Sequence, residues 1–251
     1  MNLESAAKVL GVHYQTAYRW VRTGQLPAAK VGSGYELLPE DVERLAEERR
    51  AQARRAEAGS PDWVKAQERL YEALAAAQPE PAQLVVDDVL AAGATPLQVC
   101  DRLLAPVLRW LDDDDLLLPG QVAAAAEICE EVAGRLAAPP RGRPRGLAVV
   151  ASPAGEGHRL PSLMATVALR ADRWRVHHLG ADVPDEDLLS FITEALPDVV
   201  VLSLIVTDGR VAEAAARLTA AVDVPVVVGA AGRSLEELLE AVEGAVRAGA
   251  G

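Results

Sequence analysis

LAVVASPAGEGHRLP, residues 147–161, is the stretch whose reading decides the fold of the larger part of this chain. Leu147 to Ala151 is an apolar run too short for a helix. Small and polar residues follow from Ser152 to Arg159, and Pro161 stands where the first turn of a helix tolerates a missing N–H. The pattern then repeats. Arg175–Leu179, Val199–Ser203 and Val224–Val228 are further short runs rich in β-branched residues, and helical patterns alternate with them at about 161–172, 185–196, 209–221 and 234–248. Strands alternating with helices predict a doubly wound parallel α/β sheet. Ligands of such sheets sit at the carboxyl ends of the strands, here Ser152–His158, Gly180–Val183, Leu204–Thr207 and Gly229–Gly232.

Upstream of residue 147 the period changes. Residues 139–146, PPRGRPRG, contain helix breakers and no apolar residue to bury, and read as a linker. Residues 61–138 contain no strand pattern. They predict four helices at about 61–77, 80–92, 96–112 and 119–138, with Leu70, Leu74, Leu84, Val89, Leu97, Leu103, Leu104 and Leu108 at the spacing of an antiparallel four-helix bundle. Residues 1–58 form a separate head whose Arg/Glu/Ala-rich tail runs into Gly59-Ser60-Pro61. The expected organisation is therefore multidomain: head 1–58, bundle 61–138, linker 139–146 and α/β domain 147–251.

With 251 residues, half of them apolar, the chain can bury several cores. Cys100 and Cys129 have no CxxC spacing, which suits a reducing compartment rather than a disulfide scaffold or a zinc finger. There is no signal segment and no apolar run long enough to span a bilayer, so a cytoplasmic protein with no membrane partner is expected. The net charge of −12 is unevenly placed. Residues 1–35 hold Lys8, Arg19, Arg22 and Lys30 against Glu4, while the acidic excess lies in the rest of the chain. A locally basic head on an acidic body is compatible with nucleic-acid binding through the head alone, with affinity gathered from more than one head in a homo-oligomer.

The head has the anatomy of a helix-turn-helix that grips double-stranded DNA. Ala6 and Ala7 let two helices approach, Gly11 takes the turn and Val12 plugs the corner. Ala17, Trp20 and Val21 face inward, leaving Tyr14, Gln15, Tyr18, Arg19 and Arg22 for bases and phosphates. Lys30 to Tyr35 predicts a small β wing with Lys30 at the backbone, and Pro39 starts a further helix. The string AAKVLGVHYQTAYRWVRTGQLPAAKVGSGYELLPEDVERL resembles the winged heads of the MerR superfamily and of excisionases.

In the loop after the first α/β strand, Glu156 stands two residues before His158. A histidine there can ligate a metal, with the acid orienting its other ring nitrogen. The order of head, bundle and sheet resembles the cobalamin-dependent light-sensing repressors of the CarH and LitR type across nearly the whole chain. The resemblance implies a Rossmann-like cobalamin-binding domain in which Glu156-x-His158 supplies the lower ligand to cobalt. LGADVPDEDL and VVVLSLIVT resemble the second and third strand ends of such domains. Ser203 and Thr207 would then sit beside the nucleotide tail, and Gly229 would make room for it. The chain also departs from the family. Pro161 stands where the loop glycine belongs, and Gly229-Ala230 replaces a double glycine, so a methyl group is expected in the path of the tail. Trp110 keeps the aromatic over the upper corrin face, but Gly120-Gln121 replaces the Glu-His pair beside the upper ligand. Lower-face binding is expected to survive these changes better than recognition of an adenosyl group.

The adjacent His177 and His178 face opposite sides of a strand and cannot share a metal. Asp112–Asp115 reads as a solvated helix end. No nucleophilic triad, carboxylate pair or phosphate loop is present, so the expected function is regulation, not catalysis. That function is a DNA-binding transcription regulator sensing a corrinoid or related tetrapyrrole, with light as a possible input. The alternatives are the same architecture responding to another chromophore or a partner protein, and a corrinoid-carrier subunit of a methyltransferase. The head argues against the carrier.

Overall fold

The structure is a computed structural model that describes residues 1–10, 14–22, 26–32, 34–47, 61–114, 117–140, 142–204, 209–230 and 232–249. It divides into two compact units, Met1–Ser60 and Pro61–Gly251.

In the first unit, helices α1 (Leu3–Leu10) and α2 (Tyr14–Arg22) precede a hairpin of β1 (Ala29–Val31) and β2 (Gly34–Glu36) and a helix α3 over residues 39–47. Ala6, Ala17 and Leu26 are fully buried in its core, with Leu3, Leu10, Trp20, Leu37, Val42 and Leu45 around them. The small residues at positions 6, 7 and 17 are what allow two short helices to pack this closely. Positions 11–13, with the expected turn glycine and Val12, lie outside the described residues.

The second unit begins with four helical segments: α4 (Trp63–Ala75), α5 (Pro79–Ala91), α6 with α7 (Pro96–Val99 and Ala105–Asp112), and α8 (Pro119–Leu136). Their starts are written in the sequence. Asp62 Oδ1 accepts the Lys65 amide at 3.2 Å, and Thr95 and Gln98 form a reciprocal capping box. Between α6 and α7 the chain makes one π turn, Cys100–Leu104. Pro106 explains it: with no N–H it cannot bond the Arg102 carbonyl, which instead accepts Gln67 Nε2 at 2.6 Å. Leu84 is not a core residue. It is 60% exposed, because the buried face of α5 is Ala82, Val85, Val86 and Val89.

After the irregular stretch from residue 139 come β3 (Leu147–Pro153), α9 (Leu160–Ala171), β4 (Arg175–Val183), α10 (Asp185–Ala195), β5 (Val199–Leu204), α11 (Gly209–Ala221), β6 (Val226–Ala230) and α12 (Leu235–Gly249). The four strands form a parallel sheet in the order β4-β3-β5-β6. Helices α9 and α12 cover one face and α10 and α11 the other, as the alternating strands and helices predict. The last strand starts at Val226, two residues later than its β-branched run. Gly146 at the entry to β3 has no room for a side chain: a Cβ there would lie 2.6 Å from Asp198 Oδ2 and 2.7 Å from the Trp174 ring. The apolar core of the four helical segments continues onto Leu160, Leu163, Met164 and Val167 of α9, which makes residues 61–251 one body.

Among the described residues no helix is long and apolar enough to cross a membrane.

Candidate functional site

The strand order reverses direction at β3, whose neighbours β4 and β5 follow it in sequence on opposite sides. The crevice at the carboxyl end of β3 is the place where such a sheet receives a ligand. The loop there is rigidly built. Its backbone turns at Gly155, with φ +88°, where a side chain would be strained. Glu156 is 1% exposed and its Oε1 takes both the His158 amide at 3.0 Å and the side of His158 Nδ1 at 2.6 Å. The His158 side chain is 60% exposed. With Nδ1 held by the acid, Nε2 is the nitrogen left to bind a ligand.

Asp182 at the end of β4 clamps this loop from the other side. Its Oδ1 accepts the Gly155 amide at 2.8 Å and its own amide donates to the Glu156 carbonyl at 2.9 Å. It does so in the left-handed region, φ +52°, which Asp tolerates better than most residues. Arg159 lies 3.6 Å from Glu130 Oε2 of α8, tying the helical segments to the residue after His158; burial raises the Glu130 carboxyl above its ordinary range and Arg159 opposes the rise.

Three residues after His158 the chain enters, at Pro161, the wall of a cleft of about 160 Å3, lined by residues that include Pro161, Met164, Val201, Ser203, Gly229 and Leu238. That volume suits one heterocyclic base rather than a whole drug-sized ligand, for which pockets run to about 300–1,000 Å3. Ser203 is 7% exposed, and its hydroxyl has no hydrogen-bond partner among the described residues. Gly229 lines the cleft, and a Cβ there would meet Leu238 only at an ordinary contact distance of 3.8 Å. Pro161 forms part of the wall in the first turn of α9, where its ring costs no hydrogen bond. Thr207 lies outside the described residues, as does the side chain of Ala230.

Trp110 is 41% exposed and packs edge-on against Tyr71, centroids 6.3 Å apart. The Tyr71 hydroxyl donates to Asp114, whose carboxylate raises the Tyr71 pKa. Asp114 is thus not the solvated acid expected of a helix end. Gln121 is not an open substitute for the missing imidazole. Its Oε1 accepts the Leu118 amide at 3.0 Å and its Nε2 donates to Ala75 O at 2.7 Å, so it caps α8 and ties it to α4. His178 is a structural residue. Its Nε2 lies 2.9 Å from Ser162 Oγ, and burial first, with Arg159 and Arg170, lowers its pKa to about 4. His177 packs edge-on against Phe191.

On the head, Tyr14 and Tyr18 are exposed on α2 and stack at 6.5 Å, and Tyr18 meets Tyr35 of the hairpin edge-on at 5.9 Å. Lys30 is exposed on β1, paired in register with Tyr35. Gln15, Arg19 and Arg22 belong to α2; their side chains lie outside the described residues.

Asp182 was not singled out by its residue type, and only its position before Val183-Pro184 at a strand end marks it. Asp101, Arg109 and Arg233 also line the cleft. No sequence signal joins residues so far apart.

A parallel sheet with an acid-held histidine at its switch point, carried behind a helix-turn-helix, defines a DNA-binding protein with a ligand-binding α/β domain. Comparisons with known proteins agree with this class. Residues 146–251 match the B12 binding domain and residues 1–50 a helix-turn-helix domain. The chain is 28% identical over 227 residues, 82% of its length and 76% of the relative's, to the HTH-type transcriptional repressor CarA of Myxococcus xanthus. Its fold is similar to the monomethylamine corrinoid protein of Methanosarcina barkeri, with TM-score 0.58 and 19% identity over 74% of this chain and 99% of that one. The chain is a cobalamin-binding transcription regulator of the helix-turn-helix class, as the sequence resemblance implies.

Proposed function

We propose that the protein senses a corrinoid through residues 61–251 and passes the signal to DNA bound by residues 1–58. The observation that carries this reading is the loop after β3, where buried Glu156 holds Nδ1 of His158 and leaves Nε2 free to bind, in a chain that goes on at Pro161 to line a cleft the size of one base. The donor set fits the group: a corrinoid supplies a cobalt centre that takes a nitrogen ligand. His158 is the metal ligand, and Glu156 fixes its tautomer and raises its basicity. Ser203, Thr207 and Gly229 receive the nucleotide tail.

Residues 61–138 act as a four-helix bundle that covers the upper face with Trp110, joined through linker 139–146 to the Rossmann-like domain 147–251. Gln121 holds the frame of that face. Tyr14, Gln15, Tyr18, Arg19, Arg22 and Lys30 contact double-stranded DNA, with β1 and β2 as the wing. The protein acts in the cytoplasm as a homo-oligomer, since one small head on an acidic body gathers few phosphate contacts, and it catalyses no reaction. A head that binds DNA has no place in a methyl carrier.

The test is a titration of purified protein with hydroxocobalamin, followed by absorption, with DNA affinity measured before and after. A saturating spectral change at equimolar corrinoid and a changed DNA affinity are expected. An unchanged spectrum would remove the corrinoid; an unchanged DNA affinity would remove the coupling.

A further inference from the structure

The end of the sheet away from His158 carries a cluster of arginines in an otherwise acidic chain. Residues 139–146, PPRGRPRG, hold three arginines and no acid, and residues 170–175, RADRWR, hold three arginines and one acid. Backbone pairing joins the two segments at the amino ends of β3 and of the edge strand β4. The Arg145 amide donates to the Arg173 carbonyl at 3.0 Å, the Arg175 amide donates to the Gly146 carbonyl at 2.9 Å, and Leu147 stands in register with Arg175.

These arginines divide by what they touch. Arg145 is engaged within the fold: Nη1 donates to Asp172 Oδ2 at 2.5 Å, Nη2 donates to Glu243 Oε1 at 3.4 Å, and the guanidinium lies 6.0 Å from the centroid of the Trp174 ring. Arg170 donates to the Ala137 and Val176 carbonyls. Arg143, Arg173 and Arg175 are exposed and make no ion pair or side-chain hydrogen bond among the described residues. Arg141 lies outside the described residues.

Arg173 is held in an unfavourable backbone. It follows α9 where the Trp174 amide donates to the Leu169 carbonyl at 2.9 Å and its own amide donates to the Arg170 carbonyl at 3.1 Å, a helix ending that glycine usually fills. Its φ is +67°, which strains any side chain. No contact inside the chain repays that strain. A guanidinium is a planar fork of donors suited to phosphate oxygens, and an acidic body meets a polyanion only through a basic edge such as this one.

We infer that Arg143, Arg173 and Arg175 form a second DNA contact, a phosphate-binding edge at the amino ends of β3 and β4. The inference extends the DNA reading above from the head to residues 61–251 and does not depend on the corrinoid. Arg145 positions the edge by fixing the entry to β3 on Asp172 and Glu243.

The experiment follows full-length wild type, Arg143→Ala, Arg175→Ala, Arg173→Gly and the head variant Arg22→Ala by fluorescence anisotropy. The probe is a labelled random-sequence duplex several helical turns long, titrated over a range of salt. Each edge variant lowers the slope of log affinity against log salt by about one unit, one lost phosphate contact, which is about eight-fold in affinity at about 0.1 M salt against the 1 M limit. Arg173→Gly melts at or above the wild-type temperature, because glycine is at ease at this φ, so its weaker binding cannot come from a damaged fold. Molar mass by light scattering stays the same in every variant. Unchanged slopes in all three edge variants, with a reduced slope in Arg22→Ala, overturn the edge and leave the head reading standing. A changed mass in the edge variants means that the edge joins copies of the chain, and overturns the direct contact. A wild type that does not bind the duplex at all overturns both.

Discussion

Glu156 Oε1 lies 2.6 Å from His158 Nδ1 while the carboxylate is buried and the imidazole is not. The acid therefore orients the imidazole and leaves Nε2 as the nitrogen that would bind in the proposed site. Replacing the histidine removes the donor itself, so His158→Ala is expected to abolish tight binding of hydroxocobalamin. Glu156→Gln keeps a hydrogen-bonding group of the same shape and is expected to cost about 10- to 100-fold in affinity, the usual range for a group behind a metal ligand. Absorption titrations rank the three proteins. Equal affinities for wild type and His158→Ala would sink the assignment of the ligand.

The clamp by Asp182 predicts a second order of effects. Asp182→Asn retains a side-chain acceptor and a residue that tolerates positive φ, and is expected to stay close to wild type in stability. Asp182→Ala places a Cβ-bearing residue with no acceptor in the left-handed region. The loss is expected to be about 1–3 kcal/mol, from strain plus the missing bond to Gly155. Asp182→Gly relieves the strain but not the loss of the acceptor and should fall between them. Thermal melts give the stabilities, and a corrinoid titration shows whether the His158 loop has loosened. A melt of Asp182→Ala that matches wild type would mean the clamp holds nothing.

The alternation of the sheet was legible because β3 and β5 each carry four buried apolar residues in a row, and the helices because proline or a capping residue marks most of their starts. Leu84 misled because residue type was read without phase: it stands on the face of α5 opposite Val85, Val86 and Val89. The π turn was hidden because Pro106 breaks one hydrogen bond without ending the apolar pattern. At the site, Glu156 and His158 are two residues apart and could be read as a pair. Asp101 and Leu235 are 134 apart, and only the packing of α9 between the helical segments and the sheet brings them together.

The amide of Gln121 is engaged at both ends, with Leu118 and Ala75, and cannot turn to an upper ligand without uncapping α8. Gln121→Ala is therefore expected to lower stability by about 1–2 kcal/mol, as lost caps and buried hydrogen bonds do, and to leave the spectrum of bound hydroxocobalamin unchanged. Trp110→Ala should do the reverse, altering spectrum or off-rate with a smaller effect on the melt, because its ring is half exposed. Competition between adenosyl-, methyl- and hydroxocobalamin should show less than about ten-fold preference, a difference of under about 1.4 kcal/mol. Tight binding of the adenosyl form alone would show that other groups on that face recognise it.

The head predicts a charge effect that is separable from folding. Arg19→Ala and Arg22→Ala are expected to weaken DNA binding and each to reduce the slope of log affinity against log salt by about one unit, the signature of one lost phosphate contact. The core of this unit is Ala6, Ala17, Trp20 and Leu26, so the melts should not move. Fluorescence anisotropy at several salt concentrations gives the slope. If it stays the same in both variants, α2 does not carry the phosphate contacts.

His178 gives a prediction about pH. In the folded chain burial lowers its pKa to about 4, against 6.5 for the free side chain. The folded state therefore binds a proton less readily than the unfolded state. The sign follows: above pH about 6.5 both states are neutral and the stability is complete, and it declines as pH falls from there toward 4. Arg159 and Arg170 face the ring and act in the same direction, and Ser162 Oγ, 2.9 Å from Nε2, links it to α9. His178→Gln retains a polar group for Ser162 and carries no titration. Wild type is expected to lose more melting temperature than this variant between pH 7.5 and pH 5, even if the variant is the less stable protein at pH 7.5. Parallel falls in the two melting curves over that interval would show that His178 is protonated as easily in the folded chain as in the unfolded one.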